Sequence, residues 1–400
     1  MEKTIEQGFN DEHLDRWGSH SAKWDLLAAP LGNKAVSLSV ADMEFRTAPC
    51  VAKAVHHAAQ LDNYGYTEVF DDYRHAAARW QRIRYGWDVE SADVHFFARI
   101  VQCVSALVNF ILPARLERCP VVVTLTPAYG PICEVVKLSG SHIREVPFVC
   151  KNGVTTFDHE AFARAMDGAD LLLWCNPHNP TGRVWTHNEL SVVAEYARRH
   201  HVLVLSDDVH ADFVRPQKNT YIPFAYAAPD LWKQGSIIQC ASPGKTFTIA
   251  GLESAAIMVR GNLGQDLESA KRQMGLHNPN YFAIPATIAA WTQGESWVNS
   301  LQSYIDENIR EALHLLRKHL PDAQVNDPEG TYLIWVEASA YISDEKALLH
   351  ACQRSGVAIT PGSDFGAAYE RYFRVNVALP RNELREALTR LCAALNDQTT

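Results

Sequence analysis

Lys245 sits in Ser242-Pro-Gly-Lys-Thr-Phe247, directly after the largely apolar run Gly235–Ala241. That run reads as a strand aimed into a core, where lysine is almost never fully buried without a partner. Either the side chain snorkels to water along its aliphatic stem, or it is desolvated for work as an amine nucleophile. Other strand-like runs also end in residues able to do chemistry. Leu171–Cys175 leads into Asn176-Pro-His-Asn-Pro-Thr-Gly182, and Val202–Leu205 into Ser206-Asp-Asp-Val-His210. Pro120–Leu125 leads into Thr126-Pro-Ala-Tyr129. An amide (Asn179), a carboxylate (Asp207), an amine (Lys245) and an aromatic ring (Tyr129) therefore fall at one edge of a prospective sheet.

These residues converge only if the runs share that sheet. Strands are expected at Val94–Phe97, Pro120–Leu125, Leu171–Cys175, Val202–Ser206, Ile237–Ala241 and Ala255–Val259. Amphipathic stretches between them, Ala128–Leu138, His187–His200 and Asn262–Met274, read as helices. Such alternation implies right-handed crossovers and a mostly parallel α/β sheet covered on both faces. Ligands bind outside the carboxyl ends of the strands in such sheets. A long helical pattern, Glu295 to His319, leads out of this region. Strands at Gly330–Glu337, Val357–Pro361 and Tyr372–Val377 follow, with helices near Asp344–Ser355 and Arg381–Ala394. That order reads as a smaller α+β domain. We therefore expect an N-terminal segment, 1–45, packing on the small domain, a large domain, 46–290, and a small domain, 291–400.

Composition narrows the function. The 400 residues are 47% hydrophobic, enough for large cores, and the formal net charge of −9 argues against a nucleic-acid partner. No apolar stretch approaches a membrane span, and the N-terminus shows no secretory h-region. Nine scattered cysteines without a CxxC pair favour reduced thiols in a cytoplasmic protein over a disulfide framework or a metal site.

The residue set at the sheet edge is what pyridoxal 5'-phosphate (PLP) requires. A lysine amine forms a Schiff base with the aldehyde and later moves protons. A carboxylate keeps the pyridine nitrogen protonated, an aromatic face stacks on the ring, and an amide reaches the ring oxygen. A hydroxyl three residues before the lysine, Ser242, can bind phosphate.

With these motifs the chain resembles the fold-type I PLP enzymes of the aspartate aminotransferase superfamily, and most of all the MalY/PatB-type C–S lyases. Lys23-Trp-Asp25, Ala41-Asp-Met-Glu-Phe45, Tyr64-Gly-Tyr-Thr67, Thr331-Tyr-Leu333 and Phe373-Arg-Val-Asn376 appear in family order. The resemblance implies a large domain with a mostly parallel sheet of about seven strands sandwiched by helices, plus a small α+β domain. It also implies roles. Lys245 is the Schiff-base lysine, Asp207 the partner of the pyridinium nitrogen, Asn179 that of the ring oxygen, and Tyr129 the stacking ring. Ser242 and the backbone N–H groups of Ile100 and Val101 take the phosphate. Tyr66 reaches the neighbouring subunit's site, which implies a homodimer. Arg374 holds the substrate α-carboxylate by a bidentate pair, with Ala41 beside the substrate, and His210 lines the cofactor pocket.

Each residue also has a plainer reading. Lys245 fits an exposed loop lysine, and Asp207 and Asn179 fit turn residues. Tyr129 fits a packing aromatic at a helix start, Tyr66 an ordinary surface or core tyrosine, Arg374 a structural ion pair, and His210 a satisfied buried histidine. The chain also departs from the family. Asp208 stands where Glu is usual, Gly244 where Ser is common, and Glu253 where many relatives carry arginine; the bulky Phe96-Phe-Ala-Arg99 fills the phosphate loop. We expect Arg99 to supply the missing positive charge beside the phosphate. The resulting expectation is a PLP-dependent C–S lyase acting by β-elimination on an amino acid, in a specialised biosynthetic reaction. The alternatives are an aminotransferase and a γ-carbon or ring-forming PLP enzyme.

Overall fold

The protein is described here from a computed structural model covering residues 12–151 and 154–397. The first eleven residues of the expected N-terminal segment lie outside it. The chain divides into two compact units: Thr47–His178 with Arg183–Ser296, and Met1–Arg46 with Asn179–Gly182 and Trp297–Thr400. The division thus falls at Ser296/Trp297 rather than 290/291, just inside the helix Glu295–His319, and it gives Asn179-Pro-Thr-Gly182 to the smaller unit.

The larger unit is built on an eight-stranded sheet. Its spatial order is Val94–Phe97, Ala255–Val259, Ile237–Ala241, Leu203–Asp207, Leu171–Cys175, Val121–Thr126, His142–Lys151, Val154–Phe157. From Ile237–Ala241 through His142–Lys151 neighbouring strands run parallel. Ala255–Val259 is antiparallel to both of its neighbours, and Val154–Phe157 to His142–Lys151. All six expected strands are present. The two strands beyond Val121–Thr126 were not expected, because His142, Arg144, Glu145 and Pro147 interrupt any apolar run, as suits a strand near a sheet edge. The central strands read Leu-Leu-Leu-Trp and Ile-Ile-Gln-Cys, nearly continuous apolar runs, because helices cover both faces. Beneath them Phe97, Leu107, Val122, Leu171, Ile238 and Ile257 form one core.

The smaller unit holds an antiparallel sheet in the order Gln324–Val325, Leu333–Glu337, Tyr372–Asn376, Thr360–Pro361. The run expected as a single strand, Val357–Pro361, is split. Val357–Ala358 pairs parallel with Val36–Ser37, while Thr360–Pro361 pairs with Arg374 and Phe373. Helices Glu295–His319, Glu345–Ser355 and Arg381–Asn396 complete the α+β arrangement.

Candidate active site

Parallel pairing brings the ends of the central strands of the larger unit to one edge. Asp207 is the last residue of Leu203–Asp207, in register with Cys175 on one side and Cys240 on the other. Burial pushes its carboxyl up to about 6, against the N–H of Val209 and the charge of Lys245, which both favour the anion. Lys245 lies on the one-turn helix Pro243–Thr246 that follows Ile237–Ala241, within electrostatic range of Asp207. The exposed-loop reading of Lys245 does not fit this position: it is half-buried, between the fully buried Gly244–Pro243 pair and Thr246.

Other expected cofactor residues are placed differently. The Ser242 hydroxyl donates to Ser254 O at 2.6 Å and accepts from Gly244 N at 3.1 Å, so it caps the lysine's own turn. The same hydroxyl is the one expected at the phosphate, and here it ties the lysine turn to Ser254. Gly244 has a packing reason: a Cβ there would lie 3.1 Å from Ala250 Cα. The bulky phosphate loop is in fact the end of a strand, with Phe96 and Phe97 5% and 0% exposed. Arg99 does not stand alone as a positive charge. Its Nε donates to Glu253 at 3.0 Å and its Nη2 to the same carboxylate. The two departures from the family at positions 99 and 253 therefore neutralise each other.

Arg99 occupies the N-cap of the helix Ile100–Ala106, and no side chain caps that end. The N–H groups of Ile100 and Val101 begin it, and the Glu253–Ser254 segment links it to the lysine turn through Arg99 and Ser242. Tyr129 lies at the N-cap of Gly130–Leu138 with its side chain exposed, and His210 is buried just before the 3-10 turn Ala211–Phe213. Tyr66 is 96% exposed, among the exposed Leu61, Tyr64 and Phe70.

Behind this edge lies a polar layer that the sequence did not reveal. Asp208 accepts from Ser206 Oγ at 2.8 Å and from Gln239 Nε2, and burial followed by the neighbouring Asp207 raises its acid well above the usual range. Asp212, 5% exposed, accepts from Tyr85 at 2.7 Å, Thr246 at 2.8 Å, and Trp80 and Arg84 at 3.3 Å each. These acids sit one and five residues past Asp207; the only signal for them was a cluster of carboxylates after a strand.

In the smaller unit Arg374, 5% exposed, donates from Nη1 to Asn179 Oδ1 at 2.9 Å and from Nη2 to Thr360 Oγ1 at 3.2 Å. Its guanidinium stands over Phe365 at 4.9 Å, and Trp335 is its cross-strand partner. Ala41 is buried and accepts from Tyr332 OH at 3.1 Å. The neighbouring carbonyls of Val40 and Asp42 each receive Asn376 Nδ2 at 2.7 Å. Two of the family-order motifs also meet. Lys23, 1% exposed, pairs with Glu44 at 2.8 Å and donates to Asp42 O at 2.8 Å, while Trp24 Nε1 donates to Glu44 at 3.0 Å.

The larger unit is thus a doubly wound α/β domain with a lysine, a carboxylate and a helix N-terminus at the carboxyl edge of its sheet, the architecture of a cofactor-dependent enzyme. A model of the aminotransferase class I and II family matches residues 33–391, and the chain belongs to that family. Cystathionine beta-lyase PatB of Bacillus subtilis is 32% identical over 391 residues, covering 96% of this chain and 99% of its own. The PLP-bound C–S lyase of Staphylococcus hominis superposes with a TM-score of 0.88 at 29% identity, over 97% of this chain and 98% of its own. Cystalysin of Treponema denticola, which contains pyridoxal 5'-phosphate, gives a TM-score of 0.89 at 26% identity, over 96% and 98%.

Proposed function

We propose that the protein is a PLP-dependent carbon–sulfur lyase that cleaves the Cβ–S bond of an S-substituted amino acid. The observation that carries this reading is the Asp207–Lys245 pair. A buried acid and an amine that influence each other electrostatically sit at the carboxyl edge of the sheet, beside an uncapped helix N-terminus. That donor set fits a phosphorylated pyridine aldehyde: amine for aldehyde, carboxylate for ring nitrogen, N–H groups for phosphate. When bound, PLP makes the substrate's Cα proton acidic and lets a Cβ leaving group depart with its bonding electrons.

Within that chemistry Lys245 would hold the aldehyde, and its Nζ would serve as the base that takes the Cα proton. Asp207 holds a proton at the ring nitrogen; Lys245 and the Val209 N–H favour its charged form. Asn179 would serve the ring oxygen, Tyr129 would stack on the ring, and His210 would line the cofactor pocket. The N–H groups of Ile100 and Val101 receive the phosphate. Arg374 takes the substrate α-carboxylate through its two Nη groups, with Ala41 beside the substrate. The partners are an amino-acid substrate and a second copy of the chain, to whose site Tyr66 contributes. The exposed Leu61, Tyr64, Tyr66 and Phe70 lie within ten residues of one another in the chain and suit such an interface. No helix of the described residues is long and apolar enough to cross a membrane. Buried thiols such as Cys103, Cys240 and Cys352 support a cytoplasmic setting.

Incubation with S-alkyl cysteines tests the reading. Pyruvate and thiol in equal amounts, lost in Lys245→Ala, are expected. A 2-oxo acid retaining the sulfur would instead establish the aminotransferase alternative, which the family model itself keeps in view.

A further inference from the structure

The one-turn helix Pro243–Thr246 is too short to hold itself by its own hydrogen bonds. Its geometry, and with it the aim of Lys245, must come from what grips its ends. The N-terminal end is held by Ser242, which donates to Ser254 O at 2.6 Å and caps Gly244 N. The C-terminal end is held by Asp212: Thr246, fully buried, donates its hydroxyl to Asp212 Oδ2 at 2.8 Å. Phe247 adds an apolar contact, its ring edge-on to Trp80 at 5.8 Å.

Asp212 is itself immobilised. Trp80 Nε1 shares Oδ2 with Thr246, and Tyr85 and Arg84 occupy Oδ1, so both oxygens accept twice. Three of those donors come from the single helix Asp71–Tyr85. Each carboxylate oxygen faces one N–H donor, so an amide in its place would turn its NH2 group toward an N–H. Asp212 also lies five residues past Asp207, on the segment that leaves the same strand. One short stretch therefore carries the acid at the ring nitrogen and grips the turn that carries the base.

We propose that Asp212 is a positioning residue for Lys245, acting through the Thr246 hydroxyl to fix the turn at its C-terminal end. The proposal rests on the PLP reading above. Thr246→Val removes the hydrogen bond at constant shape, Thr246→Ser restores it, and Asp212→Asn keeps one acceptor oxygen but sets an NH2 group against the donors on the other side. Each full-length chain is mixed with PLP, and the rate of borohydride-trappable adduct at Lys245 is followed by mass spectrometry. The kinetic constants and Tm are measured in parallel. For Thr246→Val, adduct formation and kcat are each expected to fall about tenfold, with KM changed less than about twofold. Thr246→Ser stays within about twofold of the parent chain, and Asp212→Asn is at least as impaired as Thr246→Val. Parental rates in Thr246→Val overturn the positioning role, as does a Thr246→Ser variant no better than Thr246→Val. If the parent chain itself forms no adduct at Lys245, the PLP reading fails and this inference fails with it.

Discussion

Arg374 Nη1 donates to Asn179 Oδ1 at 2.9 Å, joining residues 195 positions apart in the chain. The bond fixes which end of the Asn179 amide faces which way. Its carbonyl is turned to the guanidinium, so the Nδ2 end is the one able to donate to a ring oxygen. A residue assigned to the cofactor thereby also orients the residue assigned to the substrate.

Two substitutions follow from that bond. Arg374→Ala is expected to raise KM for the amino acid by about 10- to 100-fold, the value of charge-assisted bonds to a carboxylate. Asn179→Ala should raise it by about tenfold, through loss of Arg374 orientation, and should also weaken cofactor retention. Steady-state kinetics with an S-alkyl cysteine measure both, and an unchanged KM in Arg374→Ala would remove this arginine from the substrate site.

Gly244→Ser would bring the chain closer to its relatives at that position. Here the added Cβ would lie 3.1 Å from Ala250 Cα and 3.2 Å from Ser242 Oγ, and the first neighbour is backbone. A loss of about 1–3 kcal/mol by denaturant unfolding is expected, as for overpacking elsewhere. A gain in cofactor affinity without loss of stability would show that the turn yields.

The cofactor-free protein should carry a pH signature of Asp207. Burial raises its carboxyl from 3.8 to about 6, so folding favours the neutral acid. The associated stability is complete below pH 3.8 and is lost as pH rises through about 6. Asp207→Asn should flatten this part of the Tm–pH curve and exceed the parent chain in Tm above about pH 6. Parallel curves for the two proteins would place the acid in a less desolvated setting.

Arg99 and Glu253 are 63% and 36% exposed, so their pairing should contribute less than about 1 kcal/mol in a double-mutant cycle. The consequence lies in charge rather than stability. Glu253→Gln should release the guanidinium toward anions and lower the PLP Kd by about two- to fivefold at low salt, an effect cancelled by Arg99→Ala. Equilibrium dialysis at two ionic strengths measures it. The same Kd in Glu253→Gln and the parent chain would mean that Arg99 never serves the phosphate.

The sheet, the lysine turn and the strand carrying Arg374 were legible because each is a short apolar run that stops at a residue with chemistry. His142–Lys151 was not, since an edge-proximal strand tolerates charges and Pro147 that mimic a loop. Val357–Pro361 was legible as extended chain, but its division between two sheets depends on partners at Val36 and Arg374, hundreds and tens of residues away. For the same reason Asp212 was invisible: Trp80, Arg84 and Tyr85 share one helix turn, but nothing in the sequence says that this turn faces residue 212 or Thr246. Ser242 shows a different limit. A hydroxyl three residues before a lysine fits phosphate binding and helix capping equally well, and its bond to the Ser254 carbonyl could not be read from the sequence.

Lys23 and Trp24 converge on Glu44, and the adjoining carbonyls of Val40 and Asp42 are gripped by Asn376, two residues along the strand from Arg374. The segment from Lys23 to Glu44 is therefore tied to the strand that carries Arg374. A library screened only for substrate preference should return substitutions at Lys23 and Glu44, and their effect should look like an altered binding constant although neither side chain meets the amino acid.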